Sequence, residues 1–202
     1  MKYILLSLLT FSLISLFITL TAQAGTIKGK VSLEGSAGNA GVLVYIEHVD
    51  STFAPPQKHA LMNQKDLMFI PEVLPVLAGT TVDFLNSDDV LHNVFTPSKC
   101  AGNFNLGTWQ KGQMRSHTFS KAGCFATILC DVHPDMQAWI TVLQNPYFAL
   151  TNKNGDYEIK NLPPGSYQLK VWSPFYTTQT ILIVVKDNKP IVKNFSLMRS
   201  NE

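Results

Sequence analysis

Residues 130–136 read CDVHPDM, and the rest of the chain is best interpreted outward from this stretch. The stretch begins where a β-strand predicted over 124–130 ends, and it spaces Cys130, His133 and Met136 three residues apart. A thiol, an imidazole and a thioether at this spacing can reach one metal ion from a tight loop. The stretch therefore predicts a metal-binding loop at the end of a strand.

A further imidazole comes from His92, in a segment that predicts a neighbouring strand over 92–95. Two histidines, one cysteine and a weak axial methionine form the ligand set of a blue-copper electron-transfer site. Taken alone, a Cys-x-x-His pair is also typical of a structural pair or of part of a zinc site. Met136 taken alone is more typical of a residue that fills the core. Zinc stays open as a second metal because affinity discriminates poorly between these ions.

The first 24 residues predict a targeting segment. Lys2 supplies a positive start, residues 4–20 form a largely apolar run without a charge, and residues 22–24 are a small-residue cleavage site. The run is nearly long enough to span a membrane, so an uncleaved anchor is the alternative. We expect cleavage after Ala24, a mature chain that begins at Gly25, and export to the periplasm or a similar compartment.

The chain holds three cysteines, Cys100, Cys124 and Cys130. Cysteines of exported proteins usually pair, because the compartment is oxidising. An odd count leaves one thiol that needs another explanation. Metal ligation by Cys130 supplies that explanation.

Short runs of β-branched and aromatic residues recur between Gly, Pro and Asn positions, and no helical periodicity follows the targeting segment. This pattern predicts an all-β sandwich fold. Asn154-Gly155 predicts a hairpin turn. The predicted strands are 27–33, 42–46, 67–70, 73–77, 81–86, 92–95, 115–119, 124–130, 138–143, 157–159, 167–171, 181–185 and 191–197.

The sequence resembles the cupredoxins, especially the amicyanin and plastocyanin branch. The matching segments are 69–71, 78–84, 92–95, Gly123 and the Cys-x-x-His-x-x-Met motif at 130–136. The short His-to-Met spacing is similar to that of amicyanin. With the segments 145–149 and 163–167, the wider chain also resembles exported bacterial proteins often labelled methylamine-utilisation or plastocyanin-like proteins.

This resemblance implies a Greek-key cupredoxin sandwich that holds one type 1 copper ion. The implied ligands are His92 through Nδ1, Cys130 through Sγ, His133 through Nδ1 and Met136 as the axial thioether. Asn93 would join the two ligand-bearing loops by hydrogen bonds and tune the metal.

The same resemblance implies how electrons would leave the site. His133 would be the ligand nearest to solvent, and redox partner proteins would dock near it. Pro134 would stiffen the loop at that point, because its ring fixes φ.

Cys100 and Cys124 depart from the cupredoxin pattern. We predict a disulfide between them, which would close a loop of about 24 residues and contribute roughly 3 kcal/mol. The alternatives are two unrelated small buried residues or, less favoured, Cys100 as an extra metal ligand.

The two ends of the chain resemble parts of one carboxypeptidase-regulatory-like or transthyretin-like β-sandwich. Residues 26–31 and 41–46 are similar to its start, and residues 154–159 and 162–171 are similar to its later half. In that family these segments are close in sequence, whereas here about a hundred residues lie between them.

We therefore expect a cupredoxin domain over 60–144, inserted into a small prealbumin-like sandwich formed by 25–50 and 145–202. The alternative is a tandem arrangement in which residues 26–46 supply the first cupredoxin strands. Pairing of the strand near Val44 distinguishes the two arrangements.

The leading functional hypothesis is an exported blue-copper protein that carries one electron between redox partners. It transforms no small-molecule substrate, so we do not expect an enzyme, and membrane contact is expected only through an uncleaved leader. The net charge is +2 without a basic run, which argues against nucleic acid as a partner. The alternatives are a copper storage, delivery or sensing module and an adhesion or carbohydrate-binding sandwich.

Overall fold

The structure is a computed structural model, and it describes residues 24–186 and 189–200. Within those residues the only helix is one short 3-10 turn, Lys99–Ala101, and the rest of the regular structure is β. The predicted all-β fold class is confirmed. The predicted targeting segment lies outside the described residues, apart from Ala24. No helix in the described part is long and apolar enough to cross a membrane.

In chain order the strands are β1 (Gly25–Leu33), β2 (Leu43–Ile46), β3 (Ala60–Lys65), β4 (Met68–Ile70), β5 (Val73–Leu77), β6 (Thr80–Asn86), β7 (His92–Phe95), β8 (Asn105–Trp109), β9 (Met114–Phe119), β10 (Cys124–Leu129), β11 (Gln137–Leu143), β12 (Phe148–Leu150), β13 (Asp156–Leu162), β14 (Gly165–Trp172), β15 (Gln179–Val185), β16 (Ile191–Val192) and β17 (Phe195–Leu197).

Strands β3 to β11 form one pair of sheets, which we call the central sandwich. Its sheets have the strand orders β5-β11-β10-β7-β8 and β4-β3-β6-β9. Successive side chains of a strand point to opposite faces, so β6 buries Val82 and Phe84 while β10 buries Ala126 and Ile128. These side chains meet in one apolar core between the two sheets.

Strands from both ends of the chain form the other pair of sheets, which we call the terminal sandwich. One sheet has the order β12-β2-β14-β15, and the other joins β13, β1 and β16, with β17 also paired to β1. Strand β2 pairs antiparallel with β12 and β14, so Val44 lies opposite Ala149 and Val171. The apolar faces of the two sheets enclose a second core.

A third apolar cluster joins the two sandwiches. Leu43 and Tyr45 of β2 meet Leu143 of β11. The ring of Phe125, on β10, lies 6.2 Å from that of Tyr45 and 5.0 Å from that of Trp172, centroid to centroid. Strand β11 is therefore buried on both faces, which explains why its burial does not alternate.

Most predicted strands occur within a few residues of their predicted bounds. The predicted strand 191–197 was wrong as one element, because β16 and β17 are separate short strands on β1. The hairpin predicted at Asn154-Gly155 was also wrong: β12 and β13, which flank this turn, belong to different sheets. Gly155 has φ +82, and its carbonyl accepts a hydrogen bond from Val31 of β1 instead.

Candidate metal centre

The sheet register brings the two predicted ligand segments to one end of the central sandwich. Leu129, at the end of β10, lies opposite Phe95 of the antiparallel strand β7. His92 begins β7, three residues before Phe95, so it lies beyond the end of β10. The loop 130–136 connects β10 to β11 at this same position.

His92, Cys130 and His133 converge there. Their ligand atoms all lie within 4.8 Å of one another. The Nδ1 atoms of the two histidines are 3.1 Å apart, and their ring centroids are 4.9 Å apart. Nδ1 is the nitrogen that the cupredoxin resemblance implies for both rings. The structure therefore brings three of the four predicted ligands together through the expected atoms.

The three residues differ in their access to solvent. His92 is fully buried and Cys130 is 2% exposed, whereas His133 is partly exposed. Cys130 is the free cysteine, because Cys100 and Cys124 form a disulfide, with their Cα atoms 5.5 Å apart. The unpaired thiol of the chain is thus the one that faces the two imidazoles.

Met136 and Pro134 complete the predicted loop. The backbone N–H of Met136 donates to the carbonyl of His133 at 3.0 Å and closes a turn. The Met136 side chain is 1% exposed and packs in the core of the central sandwich. Pro134 is exposed beside His133.

Asn93 connects the loops around the thiol. Its backbone N–H donates to Sγ of Cys130 at 3.4 Å, and its Oδ1 accepts from the backbone N–H of Asp131 at 3.3 Å. Its Nδ2 donates to Oδ1 of Asn105 and to the carbonyl of Gly107, both at 2.8 Å. One buried side chain therefore links β7, β8 and the 130–136 loop.

Asp88 contacts the ring nitrogen of His92 that points away from the cluster. Its Oδ2 lies 2.8 Å from Nε2 of His92, and its two oxygens accept the backbone N–H groups of Asp66 and Leu67. Both hairpin residues have positive φ, so the carboxylate ties a strained β3–β4 turn to the histidine. Burial alone would raise the pKa of Asp88, but the hydrogen bonds from His92, Leu67 and Asp66 outweigh it and lower that pKa.

Sequence reasoning missed Asp88 and Gln64. Asp88 lies four residues before His92, in a polar turn that carried no ligand spacing of its own. Gln64 is fully buried on β3, a strand that was not predicted, and its Nε2 donates to the carbonyl of Asn93 at 3.1 Å. Its Oε1 is buried without a hydrogen-bond partner among the described residues.

The donor set suits a metal ion that accepts nitrogen and sulfur. Two neutral imidazoles and a thiolate are ligands for copper and zinc, whereas magnesium and calcium take oxygen ligands. The backbone N–H of Asn93 donates to the buried Sγ of Cys130, and a sulfur bound to a metal can keep this hydrogen bond. The residues present therefore fit a copper ion, which His92, Cys130 and His133 would hold together.

A model of the carboxypeptidase regulatory-like domain matches residues 136–198. This match covers β11 to β17 and excludes β1 and β2, the N-terminal strands that pair with them in the structure. No curated protein sequence matches the chain.

Solved structures are similar to the chain over about half of its length. A reduced Cu(I) form of an amicyanin variant is 25% identical, covers 49% of this chain and 97% of its own, and has a TM-score of 0.40. A purple cupredoxin from Nitrosopumilus maritimus is 24% identical, with coverages of 41% and 98% and a TM-score of 0.37.

A copper-containing nitrite reductase from Thermus scotoductus SA-01 is 24% identical, covers 50% of this chain and 25% of its own, and has a TM-score of 0.41. The chain is thus similar to cupredoxins over about half of its length, and it carries a second β-sandwich with similarity to carboxypeptidase regulatory-like domains.

Proposed function

We propose that this protein is an exported type 1 copper protein that carries one electron between redox partner proteins. The observation that carries the proposal is the convergence of His92, Cys130 and His133 within 4.8 Å at one end of an all-β sandwich. Met136, buried at the end of the same loop, is the proposed axial ligand. Bound copper would supply a one-electron couple between Cu(II) and Cu(I).

The surrounding residues would keep the donor atoms in place while the charge of the site changes. Asn93 joins three segments around Cys130, and Asp88 fixes the ring of His92 through Nε2. Residues held in this way move little between two oxidation states, so little reorganisation energy is needed for electron transfer. Such rigidity favours a carrier over a delivery protein, which must release its metal.

Exposure at the site supports electron exchange through His133. His92 is fully buried, whereas His133 reaches solvent. Val90 and Leu91, just before His92, and Val132, just before His133, are each nearly half exposed. An apolar surface of this kind favours brief protein–protein contacts. We propose that redox partners dock on these side chains, next to His133.

The disulfide supports export. Cys100 and Cys124 are paired, and disulfides persist in oxidising compartments such as the periplasm. We propose that residues 1–24 are removed as a signal peptide and that the mature protein begins at Gly25.

We also propose that the cupredoxin domain, 60–144, is inserted into the other sandwich, 25–50 plus 145–202. The two connections between the sandwiches run side by side: Asn145 Nδ2 donates to the carbonyl of Ile46, and Gln144 Nε2 donates to that of Val49. Closely spaced ends are the condition under which a domain can be inserted into another.

The test is to load the mature protein with Cu(II) and to record its visible spectrum and voltammetry. We expect an intense thiolate-to-copper band and a reversible one-electron wave. Cys130→Ser should lose the band, while His48→Gln, at an exposed histidine outside the cluster, should keep it. A colourless protein that binds only zinc or Cu(I) would overturn the carrier function and favour delivery or sensing.

A further inference from the structure

The four sheets protect their outer strands in different ways. Unpaired strand edges can recruit another chain, and proteins block them with charges, proline, glycine bends or short strands. Strands β4, β12, β16 and β17 have only two or three residues. Strand β13 carries three charged residues, β9 carries Arg115, β5 contains Pro75 and β8 contains Gly107.

Strand β15 is the exception among the described edge strands. It spans seven residues, QTILIVV, without a charge, a proline or a glycine. It pairs with β14 along one side, and no described strand pairs with its other side. Its β-branched and aliphatic residues strongly favour an extended, paired conformation.

The side chains of β15 also leave apolar surface uncovered. Ile183 and Val185 point into the core, whereas Leu182 is 68% exposed and Val184 is 48% exposed. Lys170 lies opposite Tyr45 on one side and Thr180 on the other, so these three side chains share the sheet face that contacts the central sandwich. Leu182 and Val184 follow Thr180 at intervals of two residues and therefore lie on the same face. Gln168 and Ser166 of β14 lie opposite Leu182 and Val184 and separate them from the apolar cluster at Tyr45, so the two side chains form an apolar patch of their own at the open edge.

We propose that β15 is a dimerisation strand, which pairs antiparallel with β15 of a second copy of this chain. The two four-stranded sheets would then form one eight-stranded sheet across a twofold axis. A twofold contact requires a surface that is complementary to itself. In antiparallel pairing centred on Leu182, Thr180 lies opposite Val184, Ile181 lies opposite Ile183, and Leu182 meets its own copy.

This self-pairing satisfies three requirements at once. The exposed Leu182 meets its own copy and Val184 meets Thr180, the inward Ile181 and Ile183 extend the existing core face, and no two like charges oppose each other. The free backbone N–H and C=O groups of β15 gain partners. A foreign peptide could satisfy the backbone, but the symmetric centre of β15, Ile181-Leu182-Ile183, favours a second copy. The inference does not depend on the metal site.

The experiment measures the mass of the purified mature protein by sedimentation equilibrium over a range of concentrations. We expect a discrete dimer, and Leu182→Lys should raise its dissociation constant by about tenfold or more, because two lysines would then face each other. Val192→Lys, at an exposed valine on β16 in the other sheet, should leave the dimer unchanged. Circular dichroism checks that both variants stay folded.

Hydrogen exchange gives an independent measurement that needs no variant. The outward amides of residues 179–185 should exchange more slowly at high protein concentration than at low concentration. A protein that stays monomeric at its solubility limit would overturn the proposal, as would a dimer that Leu182→Lys leaves intact. Open-ended aggregates in place of a dimer would also contradict the twofold pairing.

Discussion

The two sandwiches differ in where they bury polar side chains. In the terminal sandwich the buried polar residues, such as Thr151 and Ser173, lie in connections between strands. In the central sandwich Gln64, Asn86 and His92 are buried within strands. Polar groups inside a core cost stability unless each finds a partner, so strands normally exclude them.

The hydrogen bonds of Gln64, Asn86 and Asn93 lie toward one end of the central sandwich. Asn86 Nδ2 donates to the carbonyls of Val90 and Trp109, which precede and face His92. Gln64 donates a hydrogen bond to the carbonyl of Asn93, whose own backbone N–H donates to Sγ of Cys130. The terminal sandwich thus follows the usual burial rules, while the central sandwich accepts buried polar side chains next to the cluster of His92, Cys130 and His133.

The largest expected effect separates the stabilities of the two sandwiches. Replacing both cysteines of the disulfide, Cys100→Ser with Cys124→Ser, should lower the unfolding free energy of the central sandwich by about 3 kcal/mol, because the bridge closes a 24-residue loop. Hydrogen exchange resolved by segment measures this change. Amides of residues 60–143 should lose protection, while those of β1 and β13 keep theirs. Equal losses in both sandwiches would mean that they unfold as one unit.

A pair of buried asparagines tests the division of roles directly. Asn93 and Asn145 are 3% and 1% exposed, and each side chain makes three hydrogen bonds. Either alanine variant should lose about 2 kcal/mol of stability, since buried partners are left unsatisfied. Only Asn93→Ala should also weaken copper binding, by about 10- to 100-fold.

Copper titration and chemical denaturation of the two asparagine variants provide the measurements. If Asn145→Ala weakened copper binding as much as Asn93→Ala, the metal site would depend on the whole molecule. The proposed division between a site-bearing and a stabilising sandwich would then be wrong.

A smaller effect is expected where the site meets the β3–β4 turn. Asp88→Ala removes the acceptor for His92 Nε2 and for two backbone amides, so the ring loses its fixed orientation. Copper affinity should fall about tenfold. Asp89→Ala is the matched control, because this exposed neighbour pairs only with Lys111 in the described contacts. Equal affinities of the two variants would exclude Asp88 as a positioning residue.

The loop over 130–136 and most strands could be predicted from the sequence because these depend on local patterns. Cys130 and His133 could be singled out from their local spacing, whereas His92, 41 residues before His133, was added by its chemistry and by the resemblance to cupredoxins. Alternating apolar residues marked β6 and β10, whose inner faces form a core. Alternating strands of this kind can be recognised without knowledge of distant contacts.

The missed features depend on contacts between distant segments. Strand β3 alternates apolar and polar residues weakly, and it is recognisable mainly through its pairing with β4 and β6. Asp88 matters because a turn twenty-two residues upstream meets its carboxylate. The glycine turn at Asn154-Gly155 has the sequence of a hairpin, but the strands beside it find better partners in separate sheets.

The smallest expected effect is a pH dependence confined to the central sandwich. His117 lies between the rings of Phe104 and Phe119, and burial lowers its pKa, although a hydrogen bond with the carbonyl of Ala101 partly opposes this. The unfolded chain, with a histidine pKa of about 6.5, therefore binds more protons than the folded one just below that pH. The contribution of neutral, buried His117 to the unfolding free energy is complete above the unfolded pKa. It is lost as the pH falls from the unfolded pKa through the lower folded pKa.

Denaturation of the protein and of His117→Gln across this pH range checks the prediction. The unfolding free energy of the wild type should fall more steeply on acidification than that of the variant. The difference between the two slopes should correspond to the uptake of less than one proton on unfolding. The two should be closest in stability at alkaline pH, where His117 is neutral and glutamine can still donate to Ala101. Parallel pH profiles would show that His117 contributes nothing, and that acid sensitivity arises elsewhere in the central sandwich.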